Sequence, residues 1–194
     1  MKGRSAMEIK IFCDLVDALA KVTDALKGAA SLPKAERDQY RQVIGQTYQL
    51  LDTTLGMVAI RLGDILLPSN QARFVAEVAK LDNYPEWMRI EREFRMCQSL
   101  RAALSEIKHF SAKLKARVSV SDIDALISMM EGTAATEDHV AEFISERFRE
   151  LASKARSTGV DVVKLQGDVT ALRNALLAER SRLICHETQL YTIV

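Results

Sequence analysis

The chain has 194 residues, with 27 Lys and Arg against 26 Asp and Glu, so its net charge of +1 gives no overall field toward nucleic acid or anionic lipid. At 48% hydrophobic and 27% charged residues it carries enough apolar surface to exclude disorder over its whole length. Only 8 Gly and 3 Pro tell against collagen-like and turn-rich all-β classes.

Helical periodicity runs along the chain. From Glu8 to Lys27, Ile9, Phe12, Val16, Leu19 and Leu26 recur at spacings of three and four, with Thr23 in the gap and Leu15 and Val22 widening the stripe. Gly28 suits the end of that helix, and Pro33 opens the next at its first turn, where a missing N–H costs nothing. The second helix is predicted to reach Leu67. Its first half is polar, and its second half is apolar on nearly every face, so that half is expected at the centre of the fold, buried on all sides. Gly45, Gly56 and Gly63 each cost roughly 1 kcal/mol against Ala in a helix, and mark close helix crossings or a kink. Pro68, Ser69 and Asn70 end the segment and offer a cap for a short helix over 71–81, with Phe74, Val78 and Leu81 inward.

A turn at 82–85 leads to a predicted helix from Pro85 to about Arg117, with the inner stripe Ile90, Phe94, Cys97, Leu100, Leu104, Ile107, Leu114 and Val118. Ser121 and Asp124 form a capping-box pattern before a short helix that closes at Gly132. A further helix over 136–157 carries Val140, Phe143, Ile144, Phe148 and Leu151 and ends at Gly159. Asp161 caps the last helix. That helix places Val162, Leu165, Val169, Leu172, Leu176 and Leu183 at heptad spacing, a narrow seam of coiled-coil type, with Glu179 in one slot.

Long helices with short connections predict an all-α fold, an antiparallel up-and-down helical bundle of four long helices plus two short ones. Residues 7–194 read as one helical-bundle domain, and 1–6 as a frayed end or as residues added ahead of a natural start at Met7. The connections near 118–121 and 132–135 leave room for a subdivision into a 7–117 core bundle and a 118–194 C-terminal helical hairpin.

Cys13, Cys97 and Cys185 are odd in number, widely spaced and without a CxxC, so neither a disulfide framework nor a zinc site is implied. Three isolated thiols suit a reducing cytosol, and the N-terminus lacks the apolar core of a secretory signal, so a cytoplasmic location is expected. The apolar stretch from Leu51 to Leu67 is broken by Asp52, Arg61 and Asp64, so no stable membrane insertion is expected. Phosphate-cradling glycine loops, HExxH and GxSxG are all missing. Glu106 and His109 form a single Glu-x-x-His unit, where a di-iron bundle needs two. No cofactor and no metal are therefore expected.

Charge is modestly asymmetric. Residues 86–117 hold eight basic and four acidic side chains, and residues 118–166 hold five basic and nine acidic. These opposite patches can attract each other within the fold or between copies of it.

Three constellations stand out. Arg61 and Asp64, three apart in the most apolar helix, are expected as a buried polar pair, bonded to each other or to a partner helix. Tyr84, Trp87, Met88, Arg92 and Arg95 combine aromatic, Met and Arg side chains of the kind enriched at protein interfaces, with interleaved glutamates that suit intrahelical ion pairs. Nucleic acid comes second to protein as a partner of that region. Glu179, Arg182 and His186 share one face of the last helix, where polar groups replace the apolar seam.

The stretch Arg180-Ser181-Arg182-Leu183-Ile184-Cys185-His186 resembles the Arg, polar residue, spacer, His motif of HEPN ribonucleases over seven residues. That resemblance implies an all-α domain that cuts RNA as a dimer without a metal, with Arg180 and His186 in the dimer cleft. Against it stands the general absence of catalytic motifs. The expected function is a non-enzymatic helical protein-interaction module, an adaptor, scaffold or regulatory subunit, that binds another protein or itself as a homo-oligomer. Its contacts are expected at Tyr84, Trp87, Met88, Arg92, Arg95, Glu179 and Arg182. The alternative is the HEPN-like endoribonuclease, and the weaker one a membrane-active helical bundle.

Overall fold

The computed structural model describes residues 10–27, 33–83 and 140–192. Among these residues every regular element is an α-helix and there is no strand. The helices are α1 (Lys10–Lys27), α2 (Lys34–Leu66), α3 (Gln71–Val78), α4 (Val140–Arg156) and α5 (Val162–Tyr191). The helices expected over 85–117 and 121–132, and the Gly28 cap, lie outside the described residues.

Local chemistry sets the helix ends. Pro33 precedes the first residue of α2, and its carbonyl accepts from the Arg37 N–H at 3.1 Å. The Asn70 side chain accepts from the backbone N–H of Ala72 at 2.8 Å and of Arg73 at 3.3 Å, satisfying two donors that α3 itself leaves open. Asp161 does the same for α5, accepting from the Lys164 N–H at 3.0 Å. Between α4 and α5 the chain turns at Gly159 with φ +75°, a left-handed backbone that only glycine adopts cheaply.

The spine is the antiparallel pair α2 and α5. Gly45 faces Tyr191, Gly56 faces Arg180 and Gly63 faces Arg173. A step of seven or eleven residues along α2 is thus matched by the same step backwards along α5. At each crossing the missing Cβ makes room for a large side chain. A Cβ on Gly63 would stand 3.1 Å from Arg173 Nε, and one on Gly45 2.7 Å from the Tyr191 hydroxyl. The three glycines therefore mark close crossings, one of the two outcomes expected of them.

The remaining helices cover the spine in two places. α1 lies along the C-terminal half of α5 and runs in the same direction, with Asp17 against Arg182. Toward the other end, α3 meets α2 through Arg61 and Glu77, and α4 meets α5 through Lys154 and Asp168 at 2.8 Å. Arg156 at the end of α4 holds Asp82 and the Ala79 carbonyl just beyond α3. One apolar cluster joins all five helices, including Leu19 and Val22 of α1, Leu55 and Leu62 of α2, Phe74 of α3, Phe148 and Leu151 of α4, and Leu165, Val169, Leu176 and Leu183 of α5. Each such side chain contributes roughly 1.5–3 kcal/mol on burial. Tyr48 is fully buried with its polar end satisfied, because its hydroxyl lies 2.8 Å from Thr23 Oγ1. Thr23 donates its own proton to the Leu19 carbonyl at 2.9 Å, so Tyr48 is the donor of the pair. Burial pushes the Tyr48 phenol up to about 12.

The second half of α2 differs from expectation. It is not buried on all sides, since Ile60 is 64% and Leu67 79% exposed. The covering helices meet only the side that carries Leu51, Leu55, Val58, Leu62 and Ile65, all buried. Among the described residues no helix covers the opposite side.

Candidate protein interface

The polar end of α5 is a set of ion pairs within the chain. Glu179 occupies a slot of the apolar seam and is 5% exposed. Its carboxylate accepts from Arg182 at 2.8 Å, and the same guanidinium reaches Asp17 of α1. The Cys13 thiol sits beside Glu179. Burial, then a hydrogen bond to that carboxylate, then its negative charge, push the thiol up to about 11. Cys13 is thus held neutral, the opposite of an activated nucleophile. Glu179 and Arg182 were expected as contacts for a partner. Here Glu179 faces inward instead, because α1 covers the seam at this height, and Arg182 is engaged with two carboxylates of its own chain.

Arg180 faces α2. Its Nε donates to Asp52 Oδ1 at 2.7 Å and its second nitrogen to Asp52 Oδ2 at 3.1 Å, a bidentate grip that crosses over Gly56. His186 continues the seam at intermediate exposure and makes no hydrogen bond or ion pair among the described residues. Six positions apart on one helix, Arg180 and His186 point in directions that differ by about 120°. The structure does not bring them to one point. Glu187, one turn beyond the buried Leu183, is held above the ordinary carboxylate range by burial and by the charge of Asp52.

The expected buried pair of Arg61 and Asp64 does not form. Arg61 is half-buried and turns to Glu77 of α3, with a nitrogen–oxygen distance of 3.6 Å, while Asp64 points to solvent. Arg61 thus takes the partner-helix option. α3 folds back along this stretch and offers Glu77, a carboxylate that Lys80, at 2.8 Å, already holds below its usual range. Asp64 sits a turn from Ile60 on the open side, where water solvates it.

That open side is the feature the sequence reading missed. On α2 and its C-terminal cap the residues Gln46, Thr53, Ile60 and Leu67 recur every seven positions and all are exposed. On α5 Val163, Thr170, Leu177, Ile184 and Tyr191 recur every seven, offset by one from the buried seam. Val163 is 75%, Ile184 44% and Tyr191 56% exposed. The antiparallel register puts the two rows level with each other, Ile60 beside Leu177 and Thr53 beside Ile184. No residue of either row is charged. At one end, Gln42, Gln46, Gln49 and Tyr191, with Asp38 and Arg41, line an open groove of about 460 Å³. An uncharged, partly apolar heptad row on a solvent-facing helix is what a further helix packs against.

Tyr84, Trp87, Met88, Arg92 and Arg95 lie outside the described residues. Among the described residues no cluster of three or more His, Cys, Asp or Glu side chains is placed to hold a metal ion, and no helix is long and apolar enough to cross a membrane. No family model, curated protein or solved structure matches the chain.

Proposed function

We propose that the protein is a non-enzymatic helical interaction module, an adaptor, scaffold or regulatory subunit. In this reading its long helices complete an antiparallel up-and-down bundle, work in the cytoplasm, and associate through coiled-coil-like faces. The observation that carries it is the pair of uncharged heptad rows on α2 and α5, exposed or half-exposed where helix packing is the usual fate of such a pattern. The polar groups nearest to catalytic types support the same reading. Cys13 is held as a neutral thiol, and Arg180 is gripped by Asp52, so a phosphate would have to displace a bidentate carboxylate to reach it.

The test captures partners from the native host with the full-length protein and with Ile60→Glu and Ile184→Glu, each checked for helicity. Loss of the same captured protein, or of self-association, in both variants supports the module. Variants that bind everything the parent binds would overturn it. RNA cleavage by the parent that disappears in both Arg180→Ala and His186→Ala would favour the ribonuclease reading instead.

A further inference from the structure

The open face of α2 and α5 has a property that selects its occupant. Arg173 lies across Gly63, and Asp64 is the next residue of α2, so a cation and an anion stand at the same height on one face. Neither makes a side-chain hydrogen bond or ion pair among the described residues, and Arg173 Nε is buried without a partner. Arg180, at the equivalent place one heptad on, has Asp52 within reach, whereas the position seven residues after Asp52 is Ala59. Among the described residues Arg173 has no counterpart of that carboxylate.

We infer that this face is closed by a second copy of the chain, related by a two-fold axis that runs along the helices. This deepens the interaction-module reading and rests on it. Rotation about such an axis keeps every residue at its height and exchanges left for right. It lays α2 of one copy over α5 of the other, antiparallel, and brings Arg173 of each copy over Asp64 of the other. A closed two-fold contact needs a surface that complements itself in this way. The apolar rows obey the same operation. Ile60 meets Leu177 of the second copy, Thr53 meets Ile184, and Leu67 meets Thr170. Helices about 45 Å long packed 8–10 Å apart present a face on the order of 800 Å², the share one partner brings to a stable interface.

The experiment measures the mass of the full-length protein by sedimentation velocity across a concentration series. Its arms are the parent, Asp64→Arg, Arg173→Asp, and the double exchange. A dimer is expected, weakened about tenfold or more by either single reversal and restored by the double exchange. A photo-crosslinker at position 60 is expected to join α5 of the other copy near Leu177. A monomeric parent, a dimer indifferent to both reversals, or a crosslink from position 60 into residues 84–139 of the same chain would each overturn the inference. Failure here is separable from failure of the module. A monomer that still loses a captured host protein on Ile60→Glu leaves the module standing and removes only the second copy.

Discussion

Arg180 lies across Gly56 and holds Asp52 with two hydrogen bonds, so the absence of one β-carbon on α2 decides where a guanidinium on α5 can rest. A Cβ at position 56 would stand 3.3 Å from Arg180 Cζ. Gly56→Leu is expected to push Arg180 off its site and lower stability by about 1–3 kcal/mol in urea titrations. Gly167→Ala is the contrasting case. Nothing lies within 4 Å of a Cβ there and the residue sits within α5, so that change is expected to raise stability by roughly 0.5–1 kcal/mol.

Glu179 is the one charged residue buried in the described core. Leu at this slot would extend the seam between Leu176 and Leu183, and Arg182 would keep Asp17. Glu179→Leu is therefore expected to hold or raise stability, by about 1 kcal/mol at most, as replacements of buried ion pairs by apolar groups often do. It should also lower the Cys13 pKa from about 11 toward the ordinary 9.0, since the carboxylate that raises it is gone while burial stays. The pH profile of Cys13 alkylation, with Cys97 and Cys185 changed to Ser, reads this directly.

Thr23 and Tyr48 share a buried hydrogen bond but are not equivalent. In Tyr48→Phe, Thr23 still donates to the Leu19 carbonyl, so the expected loss is about 1 kcal/mol. In Thr23→Val the buried Tyr48 hydroxyl loses its acceptor, and the loss is expected to be larger, about 1–3 kcal/mol. Equal losses in thermal unfolding would contradict the donor order given above.

Two groups of carboxylates give opposite pH dependences. Asp82, bonded to Arg156, and Glu77, bonded to Lys80, are held below their usual ranges. Their contribution is complete above the ordinary carboxylate pKa values of 3.8 and 4.5, and fades as pH falls through the lowered folded values. Glu187 is raised, so the folded state prefers its protonated form. Its contribution is complete below 4.5 and is lost as pH rises through the raised folded value. Glu187→Gln should thus stabilise the protein at pH 7 and have no such effect at pH 4, by thermal melts at both.

Much of the described fold is legible in the residues. Asn70 and Asp161 are short polar side chains ahead of apolar periodic runs, and both cap as that pattern requires. Gly159 and the seam from Leu165 to Leu183 follow from backbone freedom and from spacing. What could not be read is which helix lies opposite which. The apolar half of α2 looks the same whether three neighbours surround it or two, so the exposure of Ile60 and Leu67 needed the α2–α5 register. A signal was present nonetheless. Gln46, Thr53, Ile60 and Leu67 keep a heptad free of charge, as do Val163 to Tyr191. Arg61 shows the second limit, because spacing names Asp64 three residues on and says nothing of Glu77 arriving from α3.

Arg156 and Asp82 act as a buckle across 74 positions of sequence. Such a clasp ties the exit from α3 to the end of α4 whatever number of residues runs between them. Opening the clasp should therefore loosen α3 and α4 together, while the α2–α5 spine keeps the register set by its own glycine crossings.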